Sequence, residues 1–302
     1  MSEQEVQAYL DHHKVQSTVE ESINACVKAN APDPYAFMAK HLGAKAESSA
    51  SMSSSVKLAF PAPEPTLLRV EGKPLSFPVR RIYCVGRNYF AHAEEMAAMH
   101  KTELGIETDT REPPFFFQKA TSAAVDCSGA DDKVRYPPLT SQLEFECELV
   151  VALKSGGSNI AEADALSHVY GYGVGVDLTR RDLQSAAKQV RKPWDAGKNF
   201  DDSAPCGALC EAARDDGAAA HPAGEAVMSL RVNGELKQES RLDLMIWSVA
   251  ETIHHLSQQV ELCPGDLILT GTPAGVGPVV RGDRVECEVR GAAVPRCSFE
   301  VV

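Results

Sequence analysis

Three glutamates alternate with apolar residues in Leu143-Glu144-Phe145-Glu146-Cys147-Glu148, and the run continues into the wholly apolar Leu149-Val150-Val151. In a strand alternate side chains share a face, so Glu144, Glu146 and Glu148 are expected to project together. Three carboxylates beside a core are costly unless a cation neutralises them, which a divalent ion with a preference for oxygen would do. A solvated edge strand with a charged outer face would produce the same pattern without metal. Asp177 ends an apolar run through Gly171, Gly173 and Gly175, just before the helix-like Thr179-Arg180-Arg181-Asp182-Leu183-Gln184. Glycines there permit close approach, and Asp177 offers a further carboxylate. Equally, an Asp before a helix serves as its N-cap. A donor set of carboxylates alone points to Mg, Mn or Ca and away from Zn.

A base is available in the segment Gly86-Arg87-Asn88-Tyr89-Phe90-Ala91-His92-Ala93-Glu94-Glu95-Met96. Asn88 can cap a helix on which His92 and Glu95, three residues apart, share a face. A carboxylate beside a histidine orients the ring and raises its basicity, which suits activation of water near neutral pH. An exposed helix carrying a surface His–Glu pair has the same spacing and no chemistry.

The elements that must position these groups are short. From Leu58 onward, β-like runs lie between Gly and Pro: 81–86, 113–120, 146–153, 170–178, 229–236 and 266–271. Helices are predicted from Asn88 to about His100 and from Thr179 to about Arg191, and Val232-Asn233-Gly234-Glu235 predicts a hairpin turn. Many strands with few helices indicate an all-β or α+β body, not a doubly wound sheet. Residues 97–113, largely polar, read as a lid or an ordinary surface loop.

Residues 1–43 read differently. Ser2 and Glu5 suit a capping box, and Val15, Val19, Ile23 and Val27 recur every four residues as one apolar stripe. Ala31-Pro32-Asp33-Pro34 breaks the helix; Asp33 can cap a second one running from Tyr35 to Leu42, which Gly43 ends. Helices this short must pack against the body or another copy to bury a stripe. The Ser/Ala-rich residues 44–57 are expected to be a flexible linker, with 58–302 as the expected catalytic body.

Composition removes other classes. With 30 Lys+Arg against 42 Asp+Glu the formal net charge is −12, and no basic stripe compensates it, which excludes a nucleic-acid partner. No apolar run approaches the ~20 residues of a membrane span. The nine cysteines are scattered; Cys206 and Cys210 have no second pair nearby, so a zinc site is not expected and reduced, buried thiols are. The first residues carry no secretory core, the acidic Glu3, Glu5 and Asp11 disfavour a mitochondrial presequence, and the last residues form no peroxisomal tripeptide. A cytoplasmic protein is the expectation.

The motifs at 85–96 and 115–123, the Glu-x-Glu strand, and those at 171–184, 197–205 and 265–278 occur in the order seen in the fumarylacetoacetate hydrolase family, which the chain resembles from about residue 80 to 283. Residues 180–184 and 193–207 with Met245-Ile246-Trp247 look most like its fumarylpyruvate hydrolases and related acylpyruvases. The resemblance implies an α+β, predominantly β fold, a mixed β-roll that is usually dimeric. It also implies Glu146, Glu148 and Asp177 as ligands of a divalent cation, Mg first, and His92 with Glu95 as the water-activating pair. Lys198 would stabilise developing negative charge, Arg181 and Gln184 would orient the substrate, and Thr272 would contact its acid end. Lys119 would be structural or electrostatic. The implied activity is metal-dependent hydrolysis of a carbon–carbon bond in an acylpyruvate; oxaloacetate decarboxylation and isomerisation of an oxo-diacid use the same centre.

Three features depart from the family pattern. Glu144 and Phe145 stand where two histidines are common, which leaves Glu144 either to add charge near the metal or to form a local ion pair; Ala120 replaces a proline, and the N-terminal helices are additional. Residues 9–42 loosely resemble the dimerisation-docking helices of protein kinase A regulatory subunits. This implies an amphipathic helix as a further partner, and a docking module as the non-enzymatic reading.

Overall fold

A computed structural model of the chain describes residues 15–42, 59–92, 94, 112–212, 221–222 and 224–302. The chain divides into two compact units, Met1–Pro63 and Glu64–Val302.

In the first unit a helix spans Val15–Ala29, and a second covers residues 34–42, with Asp33 Oδ1 accepting from the Ala36 amide at 3.1 Å. This is the cap and proline start expected of Asp33-Pro34. The buried positions of the first helix are Ser22 and Cys26, not the valine stripe; Ser22 Oγ lies 2.8 Å from His41 Nδ1. Small side chains let the two helices approach, which leaves Val19, Ile23 and Val27 exposed. Ser2 and Glu5 lie outside the described residues.

The second unit is built on an eight-stranded mixed sheet. Its order is Phe115–Lys119, Arg81–Gly86, Asp266–Leu269, Cys147–Leu153, Val169–Val176, Ala204–Cys206 and Ala124–Asp126, with Cys210–Glu211 also pairing Val169–Val176. Two of the pairings are parallel, Asp266–Leu269 with Arg81–Gly86 and Ala204–Cys206 with Ala124–Asp126. Both faces of this sheet are buried. Leu149, Val151, Tyr83 and Val85 enter the main core, which also takes Met228, Leu230, Val285 and Phe299. Val150, Ala152, Ile82 and Cys84 enter a second core with Leu68 and Phe77. Burial on both sides is why these strands read as continuous apolar runs.

A five-stranded sheet, Glu235–Arg241, Val227–Val232, Arg284–Arg290, Val294–Val301 and Lys133–Val134, supplies much of the main core. Its first hairpin turns at Asn233 and Gly234, both at positive φ, as the Asn-Gly pair predicts. Helix Val249–Gln259 starts with a full capping box between Ser248 and Glu251 and buries Ile253 and Leu256.

Two local expectations are corrected. Asn88 caps no helix: it is fully buried, its Nδ2 donates to Trp247 O (2.9 Å) and Thr270 O (2.7 Å), and its Oδ1 accepts from Trp247 N (2.7 Å). It clamps three strands of chain together, and helical residues begin only at Phe90. The second predicted helix is Arg181–Gln189, because Thr179 and Arg180 pair instead with Glu144 and Leu143.

Candidate active site

The glutamate run does not form one strand. Leu143–Phe145 belongs to a three-stranded sheet with Thr179–Arg180 and Gly277–Val279, whereas Cys147–Leu153 lies inside the large sheet; Glu146 sits at the break. All three glutamates are buried, which removes the solvated edge strand. The break also separates their tasks. Glu146 and Glu148 join Asp177 in a group whose carboxylate oxygens lie within 4.8 Å of one another, while Glu144 turns to Arg181, its Oε2 accepting from Nε at 2.6 Å.

Asp177 is wholly buried at the end of strand Val169–Val176, and helix Arg181–Gln189 begins after Arg180, so Asp177 is not its cap. Its Oδ2 accepts from Lys198 Nζ at 2.6 Å, and Glu146 Oε2 accepts from the same ammonium at 2.7 Å. Lys119 Nζ stands 2.8 Å from Asp177 Oδ1 but donates to the carbonyls of Leu178 and Lys198, leaving Oδ1 without a hydrogen bond. Lys119 is thus an electrostatic and structural group behind the centre. Arg181 Nη2 donates to Glu146 Oε1 at 2.5 Å and Nη1 to Gln184 Oε1 at 2.6 Å.

The charges are unevenly shared. Burial alone would raise the Glu146 carboxyl, but Lys198, Arg181 and His92 hold it well below the usual carboxylate range. Glu148 has the opposite fate: burial, then Asp177 and Glu146, push it far above that range. It accepts one hydrogen bond, from the Gly271 amide at 2.7 Å. Gly271 has a φ of +97°, and a Cβ there would meet Asn88 Cβ at 2.6 Å, so the donor requires glycine. Lys198 keeps its proton despite burial because Asp177 and Glu146 flank it.

These residues fit a hard divalent ion. Three buried carboxylates, one oxygen lacking a hydrogen bond and one carboxyl raised by burial and by its two acidic neighbours together form an oxygen-donor set that suits a cation.

Glu146 and Glu148 open onto a cavity of about 610 Å³, its mouth included, lined in part by His92, Arg181, Gln184, Lys198 and Thr272. His92 is buried and lies close enough to Glu146 to lower its carboxyl. Thr272 Oγ1 accepts from Gln238 Nε2 at 2.9 Å. The short helix Asp195–Lys198 packs on Arg181–Gln189 through Gly197, where a Cβ would lie 2.8 Å from Gln184 Cβ. The structure therefore brings His92, Glu146, Glu148, Asp177, Arg181, Gln184, Lys198 and Thr272 together. Glu95 and residues 97–111 of the expected lid lie outside the described residues.

Sequence reasoning missed Arg87, Phe115, Phe117, Trp194 and Lys188, which line the same cavity. Helical spacing was the available signal for Lys188: it stands four residues after Gln184 and seven after Arg181.

A curled mixed sheet bearing a buried Glu-x-Glu plus Asp centre beneath a cationic cavity defines a class of acidic-centre β-rich proteins. Residues 81–301 match the fumarylacetoacetate (FAA) hydrolase C-terminal family, and the chain belongs to that family. It is 42% identical over 182 residues to the fumarylpyruvate hydrolase of Ralstonia sp, covering 60% of this chain and 90% of that protein. Over 218 residues it is 36% identical to the mitochondrial oxaloacetate tautomerase FAHD1 of Mus musculus, covering 72% and 90%. The crystal structure of fumarylpyruvate hydrolase from Pseudomonas aeruginosa in complex with Mn2+ and pyruvate aligns with a TM-score of 0.74 at 44% identity, covering 82% of this chain and 99% of that one. The fold is of the fumarylacetoacetate hydrolase type, as the motif order implied.

Proposed function

We propose that this protein is a divalent-metal-dependent hydrolase that cleaves the carbon–carbon bond of an acylpyruvate, fumarylpyruvate above all, to pyruvate and a carboxylic acid. The observation that carries the reading is that Glu146 and Glu148, grouped with the buried Asp177, meet a buried histidine and a set of cations in one cavity. The likeness to fumarylpyruvate hydrolases, one of them in complex with Mn2+ and pyruvate, supports it. Glu146, Glu148 and Asp177 hold the ion, for which Mg is our assignment. When bound, the cation supplies Lewis-acid polarisation of the substrate's oxo-acid oxygens.

The remaining roles fall to the chain's own side chains. Arg181 and Gln184, hydrogen-bonded to each other, orient the acid end, and Thr272 contacts it. His92, with Glu95 as its partner, takes a proton from water. The water oxygen bonds to the distal acyl carbon, and the bond from that carbon to the pyruvyl methylene breaks. Its electron pair passes to the pyruvate enolate, which is then protonated. Lys198, held protonated by two carboxylates, places fixed positive charge beside the developing oxyanion.

Pyruvate release from fumarylpyruvate, abolished by EDTA and restored by Mg, tests this. No release by the metal-loaded protein overturns it. The relation to oxaloacetate tautomerase favours a second reading, an oxo-diacid isomerase or decarboxylase on the same centre. Oxaloacetate assayed in parallel, for enol formation and for pyruvate, separates the two.

We also propose a cytoplasmic homodimer in which the helices of residues 1–43 dock a second copy or an amphipathic partner helix. The exposed Val19, Ile23 and Val27 support that docking role. Among the described residues no helix is long and apolar enough to cross a membrane.

A further inference from the structure

The cations around the cavity are not equivalent. Lys198 is committed to Glu146 and Asp177, Lys119 stands against Asp177, and Arg181 is held by Glu144 and Glu146. Lys188 lines the same cavity, and no carboxylate of a described residue pairs with it. Its surroundings are cationic instead. Partial burial, then Arg181, Arg87 and Lys198, push its ammonium down to about 8, with Glu146 opposing them. A half-buried lysine facing like charges is unfavourable, and an anion placed beside it would relieve it.

Helix geometry says where that anion ends. Arg181, Gln184 and Lys188 fall at i, i+3 and i+7 on one face of helix Arg181–Gln189, and all three line the cavity. At ~1.5 Å per residue, Lys188 stands about 6 Å beyond Gln184 and about 10 Å beyond Arg181 along the axis. An extended seven-carbon diacid separates its terminal carboxyl carbons by roughly 7–8 Å, whereas a four-carbon one manages only about 4 Å. The seven-carbon diacid matches that axial spacing, and the four-carbon one falls short of it. Phe115, Phe117 and Trp194 line the same cavity and offer the flat apolar surface that suits a conjugated chain.

We infer that Lys188 is a specificity-determining residue that binds the distal carboxylate of a long dianionic acylpyruvate, with Arg181 and Gln184 holding the oxo-acid end. The inference rests on the acylpyruvate reading and narrows it to substrates with a second, remote acid group. Acetylpyruvate lacks that group, and oxaloacetate carries its second carboxylate only three bonds from its first.

The test compares Lys188→Met and Lys188→Arg with the parent protein on fumarylpyruvate and acetylpyruvate. Lys188→Met is expected to raise KM for fumarylpyruvate about 10- to 100-fold with kcat little changed, to leave KM for acetylpyruvate within about twofold, and to be largely rescued by Lys188→Arg. A readout free of turnover accompanies it: titration of the metal-loaded protein with 2-oxoadipate and with 2-oxohexanoate, which has the same six-carbon backbone but no distal carboxylate. Lys188→Met should weaken only the former, by about tenfold or more. Equal losses on both members of either pair would show a merely structural role and overturn the inference, as would no change on either. If the parent protein cleaves neither acylpyruvate, the acylpyruvate reading falls and takes this inference with it. If it cleaves both and Lys188→Met behaves like the parent, only the role of Lys188 falls.

Discussion

Among the described residues lining the cavity His92 is the one imidazole, and it is buried within electrostatic reach of Glu146. Proton transfer by a positioned base contributes about 10²- to 10⁴-fold. His92→Ala is therefore expected to lower kcat by that order while Mn2+ affinity, read by calorimetry, stays within about threefold. Parallel loss of turnover and metal would reassign His92 to the metal centre. The pH dependence of substrate binding belongs to Lys188. The groups facing it are Arg181 on its own helix, Arg87 after strand Arg81–Gly86, Lys198 on the short helix, and Glu146. With an ammonium near 8, the protonated fraction falls roughly tenfold between pH 7 and 9. KM for fumarylpyruvate should climb over that interval by up to about tenfold, more than it does for acetylpyruvate. Lys188→Arg, which stays charged, should remove the excess; if it follows the parent's profile, another group titrates.

Elements decide whether those side chains meet, and here two contacts matter most. Asn88 satisfies three backbone groups, at Trp247 and Thr270, in a fully buried position just ahead of His92. Asn88→Ala strands them, at about 1–3 kcal/mol for each group left without a partner. A thermal melt well below the parent's, together with reduced kcat, is the expected result; an unchanged melt would show that the clamp is dispensable. Gly197→Ala should push the Lys198 turn off Gln184, at a cost of about 1–3 kcal/mol and a larger loss in kcat/KM than in stability. The same contacts show what could be read in advance. Glu146, Glu148 and Asp177 were legible because carboxylates in apolar strands demand an explanation wherever the strands go. Glu144 was open between added charge near the metal and a local ion pair, and the break at Glu146 with the pairing to Thr179 gives it the ion pair, with Arg181. Asn88 looked like a cap because it precedes a helix, and its actual partners lie 159 and 182 residues away. Lys188 was hidden because a lysine on a polar helix normally faces water; its value depends on which walls surround it.

The whole molecule carries a net charge of −12 and buries several of its carboxylates in one place. Cation binding should therefore be visible as stability. An ion that binds only the folded chain adds about 2.7 kcal/mol at 100 times its Kd, or roughly 5–10 °C in Tm for a body of this size. A melt insensitive to Mg and Mn would contradict the fitted centre. The N-terminal unit makes the opposite prediction. A relative aligned over 99% of its own length covers 82% of this chain, so the family fold forms without nearly a fifth of the residues present here. Both cores of the second unit are built from residues beyond Pro63. Removing residues 1–57 should thus leave kcat and KM for fumarylpyruvate within about twofold, because no residue assigned to the site is lost. What should change is association. Val19, Ile23 and Val27 give the first helix an exposed apolar stripe, and such a stripe is stabilised only when another helix covers it. If residues 1–43 dock a second copy, light scattering should show a smaller assembly, or a weaker concentration dependence, for the truncated chain than for the full one. Identical assembly by both chains would place self-association entirely in residues 58–302 and leave the stripe to a different protein.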